Sequence, residues 1–225
     1  MKAMILAAGR GERLRPHTDT IPKPMLAVHG RPLLEHQIGW LRAAGITELV
    51  INLHHLGDRI ESHFGDGSAF GVHIRYSREA VLLETGGGIV NALPLLGEGP
   101  FVLLNGDIYT DFPFSRLTLP PAWADMHLVV TPKPVFRAEG DFLFADGRIT
   151  SRGDDFVYCG IAVIRPEVFA GDTATPFSLR DRFFRAIGAG RLSAELWSGR
   201  WTDIGTEAQL LAVGGSVPDS RPADP

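Results

Sequence analysis

The chain has 225 residues, of which 44% are hydrophobic, and this is enough for one substantial core and predicts a single domain. Its formal net charge of -4, from 22 basic and 26 acidic residues, argues against a nucleic-acid-binding protein, which needs a basic surface. One cysteine, Cys159, excludes an intramolecular disulfide, and no apolar run approaches the roughly 20 residues that span a bilayer, so we expect a cytoplasmic protein without a membrane partner.

Strands and helices alternate over the first 105 residues. The apolar run 3–8 predicts a buried strand, and apolar residues at helical spacing predict a helix over 31–44 that stops at Gly45. The other elements predicted here are a strand at 48–53, a helix at 56–64, a strand at 72–76, a helix at 87–96 and a strand at 101–104. Such alternation predicts an α/β fold with a Rossmann-like, doubly wound and mostly parallel sheet.

The second half has a different pattern. Strands are predicted at 127–131, 141–144 and 156–164, a hairpin turn at Asp146-Gly147, and late helices at 179–187 and 206–213. We therefore expect a mixed or antiparallel extension of the parallel sheet, with residues 1–213 forming one domain. Residues 214–225 contain three prolines and few apolar residues, which predicts a mobile C-terminal tail.

The loop after the first strand has the composition of a phosphate-binding loop. Gly9 and Gly11 allow the backbone N–H groups to approach an anion, and Arg10, Arg13 and Arg15 add fixed positive charge. The alternative is an ordinary turn with solvated arginines. The flanking prolines hold Lys23 on a stiff segment, which favours the phosphate interpretation.

Two other phosphate-binding patterns do not fit this loop. The chain has no G-x-x-x-x-G-K-[ST] sequence, and Leu14 replaces the third glycine of the dinucleotide G-x-G-x-x-G pattern. A nicotinamide-dependent oxidoreductase is therefore disfavoured.

Two later segments also follow predicted strands, and ligands bind at the carboxyl ends of strands in such sheets. The segment Glu84-Thr85-Gly86-Gly87-Gly88 offers a flat surface for a nucleobase, or it is a helix start capped by Thr85. Asp107 follows an apolar strand and suits Mg²⁺, with Asp203 as its partner. The alternatives are a turn aspartate and a helix cap.

Together these segments resemble sugar-phosphate nucleotidyltransferases. The resemblance rests on Leu6-Ala7-Ala8-Gly9 with Gly11 and Arg13, on Pro22-Lys23-Pro24, on Asn105-Gly106-Asp107, and on Trp201-Thr202-Asp203-Ile204-Gly205-Thr206. These ordered blocks extend from residue 4 to about residue 207 and imply the GT-A-like fold of nucleotide-diphospho-sugar transferases. Within the family the chain is most similar to short uridylyltransferases of bacterial cell-wall (peptidoglycan) recycling, so the implied substrates are an NTP, with UTP favoured, and a sugar 1-phosphate.

The resemblance also implies roles for individual residues. The implied catalytic residues are Arg13, Lys23 and Asp107, and the implied ligands of a Mg²⁺ cofactor are Asp107 and Asp203. The implied nucleotide-binding residues are Ala8, Gly9, Gly11, Glu12, Arg13, Lys23 and Gly86. The implied sugar-binding residues are Asn105, Gly140, Asp141 and Gly160.

One segment departs from the family pattern. Many longer relatives have a Glu-Lys-Pro segment whose lysine contacts the sugar phosphate, whereas this chain has Ser151-Arg152-Gly153-Asp154-Asp155, which leaves Arg152 as the candidate cation. The alternatives are another short transferase, such as a heptose 1-phosphate guanylyltransferase, a glucose 1-phosphate enzyme or a phosphocholine cytidylyltransferase, and a non-catalytic regulatory subunit. The sequence predicts no oligomeric state.

Overall fold

The computed structural model describes residues 1–216. The first part of the chain forms β1 (Lys2–Leu6), β2 (Ala27–Val28), β3 (Arg31–Pro32), α1 (Leu33–Ala43), β4 (Glu48–Leu53), α2 (Gly57–Phe64), β5 (His73–Arg78), α3 (Glu84–Leu96), β6 (Phe101–Asn105) and β7 (Ile108–Thr110). The second part forms β8 (Met126–Pro132), β9 (Phe142–Ala145), β10 (Arg148–Arg152), β11 (Phe156–Ile164), α4 (Arg180–Gly188), β12 (Leu192–Leu196), β13 (Trp201–Asp203), α5 (Glu207–Ala212) and β14 (Gly215–Ser216).

One nine-stranded sheet organises the fold, in the order β5-β4-β1-β6-β11-β8-β12-β10-β9. The strands β5, β4, β1 and β6 are parallel to one another. β11 runs antiparallel to both β6 and β8, while β12 is parallel to β8. The predicted mostly parallel sheet with a mixed extension is confirmed.

Helices pack on both faces of this sheet, because the side chains of a strand point alternately to its two faces. Ile5 of β1 shares a core cluster with Ile38 of α1 and Ile60 of α2. Met4, its neighbour in β1, shares a second cluster with Ile89 of α3 and Phe183 of α4. The first half is therefore doubly wound, as its strand and helix alternation predicted.

The extension contains the predicted hairpin and several strands that the sequence pattern missed. β9 and β10 pair antiparallel across Asp146-Gly147, whose φ values of 50° and 77° are those of a tight hairpin turn. The missed strands include β12 and the short pair β7 and β13, which forms a separate two-stranded ribbon. Asp203, one of the predicted site residues, lies on this ribbon.

The described part of the predicted tail contains the strand β14. Gly215 and Ser216 pair with β2, and residues 217–225 lie outside the described residues. Within residues 1–216, none of the helices combines the length and the apolar composition needed to cross a membrane.

Candidate active site

A cavity of about 420 Å³ opens at the carboxyl ends of the parallel strands. Three of the loops predicted to share one cleft meet in its wall, namely the loops after β1, β5 and β6, whereas the region of β4 contributes Asn52 from the strand itself. The cavity is lined by Leu6, Ala7, Ala8, Gly9, Gly11, Lys23, Pro24, Asn52, Leu82, Glu84, Thr85, Asn105, Gly106, Asp107 and Ser178. The prediction that these strand ends form one cleft is confirmed for these loops.

A second cavity of about 410 Å³ adjoins the first, because Gly11 and Lys23 line both. Its wall is formed mainly by the loop after β1 and contains Arg10, Glu12, Arg13 and Gly205. The side chains of two arginines and one lysine therefore surround a space that is continuous with the first cavity. This concentration of positive charge suits an anionic ligand.

The loop after β1 owes its shape to close packing behind it. Gly11 has a φ of 64°, and a Cβ atom there would lie 2.8 Å from Cγ2 of Thr18. Thr18 also donates a hydrogen bond from Oγ1 to the Gly11 carbonyl at 2.9 Å. Arg13 lies against Gly205, where a Cβ atom would approach its Nη2 to 2.7 Å. Gly11 and Gly205 thus permit contacts that a side chain would block.

Lys23 and Asp107 form an ion pair between the two walls of the first cavity. The Nζ atom of Lys23 lies 2.6 Å from Oδ2 of Asp107, and the two side chains are 14% and 29% exposed. Asp107 follows β6 at a tight turn in which Gly106 donates its N–H to the Leu6 carbonyl at 2.9 Å. A Cβ atom at Gly106 would lie 2.2 Å from that oxygen, so only glycine fits there.

A buried glutamine, which the sequence pattern did not single out, holds this turn from beneath. Gln37 of α1 is fully buried and donates from Nε2 to the carbonyls of Asn105 at 3.0 Å and of Ile108 at 3.1 Å. These two carbonyls flank Asp107, so Gln37 fixes the position of the carboxylate from outside the cavity.

Asp203 reaches the same place from the other end of the chain. β13 pairs with β7, and Ile204 donates its N–H to the Asp107 carbonyl at 2.7 Å. Burial raises the pKa of Asp203 above its ordinary value, the negative charge of Asp107 adds to the rise, and Arg137 and Lys23 oppose it. The side chain of Thr206, rather than that of Asp203, caps helix α5 by accepting the N–H of Gln209.

Arg137 is a site residue that the sequence analysis missed. Its Nη2 lies 3.2 Å from Oδ2 of Asp203, and its guanidinium carbon lies 6.0 Å from the ring centroid of Trp201. Each carboxylate of the site therefore has its own cation. The sequence could not indicate this contact, because the two residues are 66 positions apart and no motif surrounds Arg137.

A second buried pair, also missed, supports the floor of the cavity. Asn52 at the end of β4 accepts the Ala7 N–H at 2.8 Å and donates to Oε1 of Glu79 at 2.7 Å. The other carboxylate oxygen of Glu79 accepts the N–H of Leu83 at 3.0 Å. This network ties the loop after β1 to the start of α3, so the two walls of the cavity keep a fixed separation.

The glycines of α3 are explained first by packing. A Cβ atom at Gly86 would lie 2.2 Å from the Phe177 ring, and the Gly86 N–H donates to the Phe177 carbonyl at 2.9 Å. Glu84 and Thr85, rather than Gly86, line the cavity. Thr85 lies inside the helix, and its hydroxyl accepts the N–H of Leu179 at 2.8 Å, so it is not the predicted helix cap. The nucleobase contact of Gly86 stays a prediction.

Two of the predicted sugar-binding residues lie together beside the cavity. Gly160 has a φ of 73° at an irregularity in β11, and a Cβ atom there would lie 2.9 Å from Cβ of Asn105. Asn105 in turn precedes the turn that carries Asp107. The missing side chain of Gly160 thus leaves room beside Asn105.

The other two predicted sugar-binding residues, Gly140 and Asp141, close the loop that carries Arg137. Gly140 donates its N–H to Oδ1 of Asp154 at 2.6 Å, and the Asp141 carboxylate accepts the Tyr158 N–H at 3.0 Å. Arg152, the candidate cation, has its guanidinium carbon 4.6 Å from the Phe184 ring centroid and contributes to neither cavity wall.

The donor set limits which metal could bind. Among the described residues, no group of three or more His, Cys, Asp or Glu side chains could hold a metal ion alone. Two neighbouring carboxylates nevertheless suit Mg²⁺, a hard cation that proteins bind through one or two carboxylates while substrate phosphates and water fill the other positions.

The chain is similar to known proteins over nearly its whole length. Residues 2–126 match the family described as Nucleotidyl transferase. The N-acetylmuramate alpha-1-phosphate uridylyltransferase of Neisseria meningitidis is 44% identical over 94% of this chain and 98% of its own length. The protein of the same name from Caulobacter vibrioides is 37% identical over 94% of each chain. The crystal structure of HddC from Yersinia pseudotuberculosis has the same fold, with a TM-score of 0.81 at 21% identity, over 94% of this chain and 97% of its own.

Proposed function

Because the chain belongs to the nucleotidyl transferase family, we propose that it transfers UMP from UTP to N-acetylmuramate 1-phosphate, forming UDP-N-acetylmuramate and pyrophosphate. The choice of uridine and of this sugar is supported by the two full-length relatives that carry this name. The reaction would return a cell-wall sugar to its nucleotide-activated form, in the cytoplasm, where UTP is made.

The observation that carries the transfer chemistry is the row of alternating charges Lys23, Asp107, Asp203 and Arg137 beside the arginine-rich loop. Both substrates are phosphate esters, and their negative charges must approach each other for the reaction to occur. A site that supplies cations on both sides of two carboxylates can neutralise this charge and orient both phosphates.

In the proposed reaction, a phosphate oxygen of the sugar 1-phosphate attacks the α-phosphorus of UTP in line. A new P–O bond forms, the bond from the α-phosphorus to the bridging oxygen breaks, and pyrophosphate leaves with that electron pair. The nucleophile is already anionic near neutral pH, so no side chain has to remove a proton. The protein contributes positioning and charge stabilisation, as in other phosphoryl transfers.

The proposed nucleotide-binding residues are supported by the two cavities, which all of them line except Gly86. Ala8, Gly9 and Gly11 line the first cavity, and their N–H groups would bind the β- and γ-phosphates, while Glu12 and Arg13 belong to the wall of the second cavity. Arg13 and Lys23 supply positive charge. The uracil ring lies against the start of α3, next to Gly86. The sugar lies beside Asn105 and Gly160, with Gly140 and Asp141 on the adjoining loop.

Asp107 and Asp203 would hold the Mg²⁺ ion, and their oxygens fit its preference for hard donors. The ion would supply further neutralisation of the phosphate oxygens. Burial and the negative charge of Asp107 raise the pKa of Asp203, which shows that the two carboxylates repel each other in the fold. A divalent cation bound between them would relieve that repulsion.

The test is pyrophosphate release by the purified chain over a panel of four NTPs and several sugar 1-phosphates, with Mg²⁺ or with EDTA. We expect the highest kcat/KM for UTP with N-acetylmuramate 1-phosphate, and no release in EDTA. A preference for GTP with a heptose or mannose 1-phosphate would contradict the assigned substrates but not the chemistry. A chain that binds UTP and releases no pyrophosphate with any sugar would instead be a regulatory subunit.

A further inference from the structure

Arg137 is placed at the reacting end of the proposed site by a loop that is fastened at both ends. Lys133 pairs with the carboxylate of Asp154, and the same carboxylate accepts the Gly140 N–H at 2.6 Å. Lys133 also donates its N–H to the Asp155 carbonyl at 2.8 Å. The residues between these two fastenings therefore form a closed loop, and Arg137 extends from its middle to Asp203.

The guanidinium group of Arg137 lies near an aromatic ring, with its carbon 6.0 Å from the ring centroid of Trp201. Trp201, over which the group lies, is held by a hydrogen bond from its Nε1 to the Cys159 carbonyl at 2.8 Å. A guanidinium group against a fixed aromatic ring keeps its donors in one plane. The Nη2 atom of Arg137 lies 3.2 Å from the Asp203 carboxylate, so the group lies beside the carboxylates that are proposed to hold the metal ion.

The hydrogen bonds of Arg137 are incomplete in the described part of the chain. Its Nη2 contacts Asp203, whereas its Nε is buried and has no hydrogen-bond partner among residues 1–216. Buried polar atoms in native structures nearly always have a partner, so this donor calls for a ligand atom. A guanidinium group presents such donors in a fork that matches two oxygens of one phosphate.

The cationic side chains of the site form two groups, one on each side of the two carboxylates. Arg10, Arg13 and Lys23 line the second cavity, which receives the triphosphate in the proposed function. Arg137 instead belongs to the loop that leads to Gly140 and Asp141, on the side proposed for the sugar.

Resting on the proposed function, we propose that Arg137 binds the phosphate of the sugar 1-phosphate and aligns it for attack. When the carboxylates are engaged by a divalent ion, Arg137 exchanges its contact with Asp203 for the phosphate oxygens. Arg152, which lies against Phe184, has no part in this contact.

The first measurement is equilibrium binding by calorimetry, with Mg²⁺ and a non-transferable UTP analogue present. We expect Arg137→Gln to raise the Kd of N-acetylmuramate 1-phosphate by about tenfold to a hundredfold, since it removes hydrogen bonds to a charged group. The Kd of the UTP analogue should stay near the wild-type value, and Arg137→Lys should recover part of the loss. A matched control is Arg200→Gln, because Arg200 also pairs with an aspartate, Asp111, but is 90% exposed.

A role limited to balancing the charge of Asp203 predicts a different result. Arg137→Gln would then change the Mg²⁺ concentration needed for half-maximal activity and leave the Kd of the sugar 1-phosphate unchanged, which would overturn the inference. An equal rise in the Kd of the UTP analogue would also overturn it, because Arg137 would then belong to the nucleotide site.

The second measurement separates the phosphate from the lactyl carboxylate of the sugar. The kcat/KM of Arg137→Gln is compared for N-acetylmuramate 1-phosphate and for N-acetylglucosamine 1-phosphate, which lacks that carboxylate. Equal losses support the phosphate contact, and a loss confined to the first sugar overturns it in favour of the carboxylate. If wild type turns over but Arg137→Gln binds N-acetylmuramate 1-phosphate with an unchanged Kd, the role of Arg137 is wrong and the proposed function stands. The absence of wild-type turnover with every sugar 1-phosphate contradicts the proposed function as well.

Discussion

Replacing Asp107 with asparagine removes one negative charge from the site and keeps the size of the side chain. The amide oxygen can still accept the hydrogen bond that Lys23 makes to Oδ2 at 2.6 Å. The substitution replaces a hydrogen bond between charged groups by one to a neutral acceptor, which costs about 1 kcal/mol of stability. Relief of the repulsion with Asp203 offsets part of that cost, because the charge of Asp107 raises the pKa of Asp203. We therefore expect a melting temperature within about 4 °C of wild type.

The effect of Asp107→Asn on catalysis should be much larger than its effect on stability. Loss of a group that stabilises charge in the transition state costs about 10²–10³ in kcat, or about 2.7–4 kcal/mol. Pyrophosphate release at saturating UTP and sugar 1-phosphate, titrated with Mg²⁺, measures this loss. The matched control is Asp111→Asn, an aspartate that pairs with Arg200 outside both cavities and should keep normal activity. A near-wild-type kcat with an unchanged Mg²⁺ titration in Asp107→Asn would refute the metal assignment.

Three further outcomes can be checked on the same protein. Gly106→Ala should lower the free energy of unfolding in urea by about 2 kcal/mol or more, because the added Cβ would lie 2.2 Å from the Leu6 carbonyl oxygen. The control Gly99→Ala should leave it nearly unchanged, because a Cβ at Gly99 would have no atom within 4 Å. The raised pKa of Asp203 means that the folded state favours the protonated acid. In EDTA, the free energy of unfolding of wild type should therefore fall relative to that of Asp203→Asn as the pH rises from 3.8, the ordinary pKa, through the raised pKa. Parallel curves of stability against pH for the two proteins would contradict this. Burial raises the pKa of the Cys159 thiol, so a thiol reagent should modify it only after denaturation, and rapid labelling of the native protein would show the thiol to be exposed.

The fold was largely predictable because its first half obeys local rules. Apolar runs and helical periodicity located β1, α1, β4 and β6 to within two residues, and their alternation gave the parallel sheet. β12 was missed because its sequence, Leu192 to Leu196, contains no β-branched or aromatic residue, the types that are enriched in strands. Its partner strand, β8, lies 66 positions earlier in the chain, and no local pattern carries that information.

Those residues of the candidate site that directly follow a buried strand could be predicted from the sequence. Asp107 and the loop after β1 are such cases, and both lie in the predicted cleft. Arg137 was not predictable, since its contact with Asp203 depends on how the β8–β9 loop folds back over β13. For the same reason the glycines of α3 suggested a base platform, whereas Phe177, some 90 residues away, packs against Gly86.

The pairing of each carboxylate with a cation has a consequence for metal removal. Lys23 neutralises Asp107 and Arg137 contacts Asp203, so the fold does not need a divalent ion to hold the two carboxylates together. Chelation should therefore abolish turnover and leave the melting temperature of wild type nearly unchanged. Lys23→Met removes one of these cations, and the melting temperature of this variant should rise with added Mg²⁺, because only the folded state presents both carboxylates to the ion. An equal response of wild type and variant to Mg²⁺ would mean that Lys23 does not offset the charge of Asp107.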